Sequence, residues 1–187
     1  NLALEEYLFQ HLKPGSRLLL FYRSNPSVII GRNQNPWLEC DLKRMQAEGI
    51  PFFRRFSGGG TVYHDPENLN YCLMTPREEF ERNTATSLIA AALRQLDIPA
   101  SVSSRNDILA AEKKISGSAY RLSGEKAYHH GTLLINTDLG RLTKYLSAGS
   151  SISAAKGTRS VLSPVTNLSA FVPGIKAEQI IEALTSG

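Results

Sequence analysis

The apolar positions of the chain recur with helical spacing in only a few segments. Leu4, Leu8 and Leu12 lie about one turn apart before Pro14-Gly15, so an amphipathic helix is predicted at the start of the sequence. The Ala- and Leu-rich stretch "TATSLIAAALRQL" is the clearest helix, because its Thr and Ser residues can cap the first turn. Three further helices are predicted over "CDLKRMQAEG", "DLGRLTKYL" and "KAEQIIEALTSG".

Between the helices lie short apolar runs that are rich in β-branched and aromatic residues and are bounded by turn residues. These runs predict strands over "RLLLFYR", "SVIIGR", "PFFRRF", "GTVYHD", "LNYCLMT", "SVSS", "NDILAA", "KISGSAYRL" and "AYHHGTLLIN". The sequence "LSGEK" is typical of a hairpin turn between the last two. The segment Ser147–Ser163, rich in Ser, Gly and Ala, is interpreted as a mobile loop. Runs of strands with interspersed helices favour an α+β domain.

The composition is that of an ordinary globular protein, with 42% hydrophobic and 20% charged residues among 187, and residues 1–187 are interpreted as one domain. No run of ~18 apolar residues predicts a membrane span, and the first residues lack the basic region of a signal peptide. Cys40 and Cys72 form no C-x-x-C motif, which is typical of a reducing compartment. We therefore expect a cytoplasmic protein, with the mitochondrial matrix as the alternative.

The net charge of +4 suits a nucleotide, a nucleic acid or an acidic protein partner.

The stretch "RRFSGGGTVYHD" carries the most unusual pattern, three consecutive glycines between two predicted strands. Glycine inside an element costs roughly 0.5–1 kcal/mol relative to alanine, so a ligand or another backbone is expected to approach this loop closely. The spacing matches neither a Walker A loop, nor G-x-G-x-x-G, nor a nucleophile elbow. What remains is a loop whose backbone N–H groups could face an anion beside Arg54 and Arg55. The alternative is a tight turn with solvated arginines.

Four other residues are considered as candidates for chemistry. Lys114 lies on a predicted strand, where it either has a task or protects a sheet edge from aggregation. His129 and His130 are adjacent on a predicted strand and should face opposite sides of it; without ligand spacing they do not predict a zinc site. Trp37 is more typical of a core residue than of a functional one.

These motifs together resemble the lipoate–protein ligase and lipoyltransferase family. The matching pieces are "SVIIGRNQNPWLEC", "RRFSGGGTVYHD", "SSRNDILA", "KKISGSAYR", "HHGTLLIN" and "AAKGTRSVLSPVTNL", in the order that the family has them. The resemblance implies an α+β fold with a central mixed, mostly antiparallel sheet flanked by helices, similar to the catalytic core of biotin–protein ligases. It also implies a single catalytic domain over residues 1–187 that lacks the C-terminal accessory domain of many members, which is then separate or truncated.

The resemblance implies an enzyme that activates lipoate with ATP to lipoyl-AMP and passes the lipoyl group to a lysine of an acceptor domain. Lys114 is then the catalytic residue, bridging carboxylate and phosphate, and Asp107 a ligand of Mg²⁺. The residues implied in binding lipoyl-AMP are Arg54, Arg55, Ser57, Gly58, Gly59, Gly60, Val62, Tyr63, His64, Trp37, Asn106, Asp107, His130, Gly131 and Thr132. A loop over the nucleotide is implied at Ala155 to Val165, and an apolar tunnel for lipoate near Trp37, Val62 and His64.

The expected acceptors are acidic lipoyl domains of 2-oxoacid dehydrogenase E2 subunits and the glycine cleavage H protein, which the positive charge would attract. The nearest alternative is a lipoyltransferase that uses preformed lipoyl-AMP, and a relative that uses octanoate is another, since an apolar tunnel discriminates weakly among similar chains. A nucleic-acid-binding domain is disfavoured, because the sequence has neither an RNP-like motif nor a basic helix with aromatics. A non-catalytic binding module is disfavoured by Lys114.

Overall fold

The computed structural model describes residues 1–146, 157–161 and 163–186. The predicted helices and strands are confirmed, with two additions: a short helix α2, and a break that divides "KISGSAYRL" into two strands. Of the predicted loop Ser147–Ser163, residues 147–156 and 162 lie outside the described part. The α-helices are α1 Leu2–Gln10, α2 Pro36–Glu39, α3 Leu42–Ala47, α4 Thr84–Gln95, α5 Leu139–Tyr145 and α6 Ala177–Thr185, with 3-10 turns at Arg77–Glu79 and Leu168–Ala170.

The strands form three small sheets, so the predicted α+β class is confirmed with its strands shared among sheets. They are β1 Leu18–Tyr22, β2 Ser27–Ile30, β3 Phe52–Arg54, β4 Val62–His64, β5 Asn68–Pro76, β6 Ala100–Val102, β7 Ile108–Ala110, β8 Lys113–Ser116, β9 Ser118–Ser123 and β10 Lys126–Leu134. An antiparallel sheet has the order β1-β5-β10-β9, and a second one β6-β7-β8. The third, β3-β2-β4, is mixed, because β2 pairs with β3 in parallel and with β4 antiparallel.

Three apolar clusters hold helices onto these sheets. The largest packs α4 and α6 against β5, β7, β8 and β10 and includes the fully buried Leu93, Ile115 and Ile180. A second joins α3 and α5 to the mixed sheet through Met45, Tyr63 and neighbouring residues. The third seats α1 on β5 and β10. Burial of this apolar surface is the main force that brings the three sheets together.

The stripe that α1 buries is shifted from the one that its leucines predict. Leu12 is buried as predicted, but Leu4 is 48% exposed and Glu5 and Phe9 are buried. The ring of Phe9 packs edge-on against Tyr128 of β10, with the ring centroids 4.8 Å apart. The buried stripe therefore carries the carboxylate of Glu5 into the protein at the point where α1 crosses the sheet.

The short helix α2 follows local sequence rules. The side chain of Asn35 accepts a hydrogen bond from Trp37 N at 3.1 Å, and Pro36 occupies the first turn, where its missing N–H costs nothing. Glu39 ends the helix and is buried. The expectation that Trp37 is a core residue is wrong, because its side chain is 59% exposed on this helix.

Candidate active site

A chain of three cavities runs across the meeting point of the three sheets. The central cavity, about 230 Å³, contains the backbone of the glycine loop, Lys114 and Thr132 in its wall. An α1-side cavity of about 780 Å³ shares Leu2, Ile29, Arg55 and His64 with it. An α5-side cavity of about 380 Å³ shares Thr61, Val62, Lys114, Gly117, Thr132, Ser160 and Val161. Adjoining walls make the three cavities one continuous groove.

Lys114 lies at the junction of the central and α5-side cavities, and its position is fixed from several directions. Its Nζ is 2.8 Å from Asp107 Oδ1, and both side chains are largely buried. Its side chain crosses Gly117, where an added Cβ would lie 3.1 Å from Lys114 Cε. Its backbone N donates to Pro164 O at 2.8 Å, and its O accepts from Thr166 N. The ammonium group is therefore held in the groove by a single carboxylate.

The glycine loop, Gly58–Gly60, follows β3 and leads to β4. Gly59 has a φ of +86°, a left-handed conformation that favours glycine. A Cβ on Gly60 would lie 3.1 Å from Ser160 Oγ, and a Cβ on Gly31 would lie 2.2 Å from Gly59 O. Within the described residues, the N–H groups of the three loop glycines donate no hydrogen bond. Gly59 and Gly60 line the central cavity, so free backbone donors border the groove there, while the carbonyls of Gly58 and Gly60 accept from Arg55.

The two arginines before the loop bond different backbone segments, and only Arg55 bonds the loop itself. Arg55 is buried and donates to Gly58 O and Gly60 O at 2.6 and 2.7 Å, to Ile29 O and to Ser57 Oγ. Burial lowers the pKa of its guanidinium to about 10, so the group stays charged at neutral pH. Arg54 is exposed and uses one nitrogen, Nη1, for the carbonyls of residues 31, 32 and 34. Both side chains are directed at protein carbonyls.

A buried hydrogen-bonded chain links α1 to the glycine loop. Glu5 Oε1 lies 2.8 Å from His130 Nδ1, and His130 Nε2 lies 2.7 Å from Ser57 Oγ, which also accepts from Arg55 Nε. Burial and the Glu5 carboxylate raise the pKa of the Cys72 thiol nearby. Because Glu5, His130 and Ser57 all have hydrogen-bond partners, this hydrogen-bonded network fixes the start of the glycine loop and leaves none of its polar groups unpaired.

The sequence model of the family described as "Lipoyl protein ligase A/B catalytic domain" matches residues 1–187. The chain belongs to this family. Its structure also superposes on solved ligases. P. falciparum LipL1 in complex with lipoate is 31% identical, with a TM-score of 0.82 over 98% of this chain and 54% of the other. Lipoate-protein ligase A bound with ATP is 29% identical, with a TM-score of 0.83 over 99% of this chain and 76% of the other.

A third similar structure comes from an archaeal lipoylation system of Thermoplasma acidophilum, a bi-partite lipoate protein ligase and its E2 lipoyl domain. It is 31% identical, with a TM-score of 0.85 over 99% of this chain and 75% of the other. The chain therefore spans about half the length of the P. falciparum protein and about three quarters of the other two.

Most of the site residues predicted from the sequence lie close together in this member of the lipoyl protein ligase family. Those that line the central cavity are Arg55, Gly59, Gly60, Val62, His64, Asp107, Lys114, His130, Gly131 and Thr132. Ser57 and Gly58 lie just behind it, bonded to Arg55, and Tyr63 lines the α5-side cavity. Gly131 leaves room for Tyr71, whose hydroxyl would be 2.5 Å from an added Cβ.

Three predicted residues are placed elsewhere by the structure. Trp37 is not among the described residues that line the three cavities, and Arg54 lies on the wall of the α1-side cavity. Asn106 has a φ of +62° and borders a separate polar depression beside Arg82 and Asn83. Of the implied nucleotide loop Ala155 to Val165, residues 155, 156 and 162 lie outside the described part.

Four residues of the site were not predicted, Glu5, Gln34, Glu39 and Arg105, and Ser160 was predicted only as part of the loop Ala155 to Val165. Glu5 could have been found, because its spacing to Phe9 and Leu12 places it on the buried stripe of α1. Arg105 follows the Ser-Ser pair of a matched motif and lines the central cavity as an exposed cation. The contacts of Gln34, Glu39 and Ser160 span more than 120 residues of sequence, and no local pattern indicates them.

The described residues offer limited material for a metal ion. One group of three potential ligands, Glu5, Cys72 and His130, has its ligand atoms within 4.8 Å of one another. The hydrogen bond between Glu5 and His130 already uses two of these atoms, so the group is explained without a metal. Asp107 is a single carboxylate, and its Oδ1 is paired with Lys114.

No helix in the part of the chain that the structure describes is long and apolar enough to cross a membrane.

Two buried histidines, His64 and His129, predict how stability depends on pH. Burial lowers the pKa of His64 to about 3 and that of His129 to about 4, so both are neutral in the folded protein. In the unfolded chain each takes up a proton near pH 6.5. The free energy of unfolding should therefore fall as the pH drops from about 6.5 towards 4, by up to roughly 1.4 kcal/mol per pH unit for each histidine.

Urea denaturation between pH 7 and 4.5 measures this dependence. Because other groups also titrate in the range, the comparison is with His129→Leu, which removes one of the two proton uptakes. We expect the free energy of unfolding to fall less steeply with decreasing pH in the variant. The difference in slope should correspond to about one proton taken up per molecule on unfolding. Equal slopes for the two proteins would contradict the assignment of His129 as neutral in the folded state.

Proposed function

We propose that this chain activates lipoate with ATP to lipoyl-AMP and transfers the lipoyl group to a lysine of an acceptor domain. The observation that carries the proposal is the placement of Lys114 opposite the free backbone donors of the glycine loop. A cation and a row of N–H groups facing one groove form a site for two anions that must meet. A family member with this arrangement has the electrostatic parts that joining a carboxylate to a phosphate requires.

The groove offers a suitable place for each substrate. The lipoyl tail fits the α1 side, where Ile29, Phe56 and the neutral His64 line the cavity and can contact an apolar chain. The nucleotide fits the α5-side cavity, where Leu142 and Val165 can contact a base while Glu39 and Thr143 supply polar atoms. The carboxylate of lipoate and the α-phosphate then meet at Lys114. Similar proteins have been solved with lipoate and with ATP, which supports these two molecules as the substrates.

Activation joins one carboxylate oxygen of lipoate to the α-phosphorus of ATP, and the bond from that phosphorus to the pyrophosphate oxygen breaks. Charge develops on the phosphoryl oxygens in this step. The ammonium of Lys114 lies where it can contact the carboxylate and the phosphate together, and the loop N–H groups donate to the remaining oxygens. Arg55 acts through the loop, since its donors are taken by protein oxygens.

Magnesium ion would accompany ATP, bound by the phosphates, by water and by Asp107. Mg²⁺ is commonly held by one or two carboxylates together with phosphate oxygens, so a single Asp fits this use. The free oxygen of Asp107 can face the ion while the other holds Lys114. The ion would neutralise phosphate charge.

Transfer requires an amine without a proton, although a lysine normally has a pKa near 10.4. An acceptor lysine that enters the groove leaves water, which favours its neutral form. Its nitrogen then attacks the carbonyl carbon of lipoyl-AMP, and the bond from that carbon to the AMP oxygen breaks. AMP leaves with the charge that Lys114 and the loop neutralise. The net charge of +4 would favour encounter with an acidic acceptor such as an E2 lipoyl domain or H protein.

The experiment is mass spectrometry of an apo E2 lipoyl domain incubated with this chain, lipoate, ATP and Mg²⁺. A mass increase of one lipoyl group per domain is expected, together with pyrophosphate release. A second reaction receives preformed lipoyl-AMP in place of ATP and lipoate, and a third receives octanoate. Failure of all three with folded protein would overturn the proposal.

The second candidate function is transfer from preformed lipoyl-AMP alone. It rests on the same groove, in which Lys114 and the glycine loop would also hold lipoyl-AMP that is supplied ready-made. Modification with lipoyl-AMP but not with ATP and lipoate would establish this candidate. Recovery of the ATP reaction on adding a separate accessory domain would instead indicate a two-part ligase.

A further inference from the structure

Ser160 is the point at which three separate segments of the groove are joined. Its Oγ accepts hydrogen bonds from Gln34 Nε2 at 3.0 Å and from Thr61 N at 2.9 Å, and it donates to Glu39 Oε2. Its backbone N donates to both oxygens of Glu39, at 3.2 and 3.1 Å. The hydroxyl thus uses its one donor and two acceptor positions. We call these contacts the Ser160 latch.

The latch sets the position of a wall that two cavities share. Ser160 and Val161 line both the central and the α5-side cavity. Beyond them the chain is anchored a second time, where the backbone of Lys114 bonds to residues 164 and 166. The wall is therefore fastened at one end to the end of α2 and at the other to the strand that carries Lys114. A shift at Ser160 would move the wall relative to the ammonium group.

The carboxylate of Glu39 gives the latch a second effect. It is buried, and among the described residues its oxygens accept hydrogen bonds from Ser160 and, at 3.5 Å, from the Thr61 hydroxyl. Without Ser160 this charge would face the α5-side cavity with its main donors lost. An unpaired carboxylate there would repel phosphate and would be costly to keep dry. The latch therefore both shapes the wall and screens its charge.

We infer that Ser160 and Glu39 are positioning residues for the nucleotide, acting through the wall of the α5-side cavity. The inference rests on the proposed function, which seats ATP in that cavity. The glycine loop supports it, because Gly60 packs against Ser160 with no room for a side chain. The α1-side cavity, in which the lipoyl tail is proposed to lie, has none of the latch residues in its described lining, so the two substrates should respond differently.

The test compares Ser160→Ala, Glu39→Gln and the double variant with the wild type, with Ser169→Ala as the matched control. Ser169 makes one exposed side-chain hydrogen bond, to Asn136, away from the groove. Initial rates of pyrophosphate release give KM for ATP and for lipoate. We expect KM for ATP to rise roughly tenfold or more in either single variant, as for lost hydrogen bonds to a charged group, with KM for lipoate within about twofold.

Since both variants break the same contact, the double variant should be little worse than the more affected single one. An equal rise of both KM values, or none, would overturn the inference, because a general loss of structure does not distinguish the substrates. Hydrogen exchange at the amide of Ser160 tests the latch without turnover, and we expect exchange about tenfold faster in Glu39→Gln. Unchanged exchange would also overturn it. The wild type could release no pyrophosphate while hydrogen exchange at the Ser160 amide is still faster in Glu39→Gln. The proposed function would then fail, and the latch would stand without its nucleotide role.

Discussion

Replacing Lys114 by Met should abolish measurable activation of lipoate. The change keeps a long side chain over Gly117 but removes the cation that faces the glycine loop, and it leaves the carboxylate of Asp107 alone among phosphates. Removal of one charge-stabilising donor costs roughly 2.7–4 kcal/mol of transition-state stabilisation, which corresponds to about 10²–10³-fold in rate. The added repulsion from Asp107 should place the loss at the upper end of that range.

The measurement is the initial rate of pyrophosphate release, with mass spectrometry of the acceptor domain as the second readout. Lys113→Met is the matched control, because Lys113 is the exposed neighbour on the same strand. It should leave the rate within about twofold, as expected of an exposed charge. A Lys114→Met rate within a few-fold of the wild type would remove Lys114 from the chemistry.

Replacing Arg55 by Lys should have the next largest effect, although the charge is kept. The guanidinium of Arg55 reaches Ile29 O, Gly58 O, Gly60 O and Ser57 Oγ from three nitrogens, and a single ammonium cannot span these positions. Each buried acceptor that loses its donor costs about 1–3 kcal/mol, so the free energy of unfolding should fall by roughly 2–5 kcal/mol. Activity should fall with it, since the glycine loop loses its support.

Arg54→Lys is the matched control for this prediction. A single nitrogen of Arg54 makes all three of its contacts with the carbonyls of residues 31, 32 and 34, and a lysine ammonium has three donors at one point. The side chain is also exposed, so the loss should stay below about 1 kcal/mol. Urea denaturation compares the two variants directly. Equal losses would show that charge, rather than the spread of donors, decides the role of Arg55.

The helices and strands could be predicted from the sequence because their signals are local. Alternating apolar runs and the capping residues of α4 lie within a few residues of one another. The division into three sheets could not be predicted, since pairing depends on contacts far apart in the chain. The face of α1 was predicted only in part for a related reason: three leucines indicated one stripe, but packing against Tyr128 selects the stripe of Phe9, which leaves Leu4 exposed.

The site could be predicted where glycine, lysine and histidine stand in unusual places. Lys114 on a strand and the glycine triplet both indicated the groove that the structure forms. The purpose of the arginines was harder to see, because an arginine that bonds protein carbonyls looks the same in sequence as one that binds phosphate. The Ser160 latch has no local signal, since Glu39 and Ser160 become neighbours only in the folded chain.

The central cavity is bordered by strands of all three sheets, among them β4 through Val62, β8 through Lys114 and β10 through Thr132. A substrate bound in this cavity would contact all three sheets. It would therefore link sheets that share few backbone hydrogen bonds with one another. Binding to the folded state alone raises its stability by about 2.7 kcal/mol at a hundredfold excess over Kd. Bound substrate should therefore suppress partial separation of the three sheets. The protein should resist proteolysis better with substrate bound than without it.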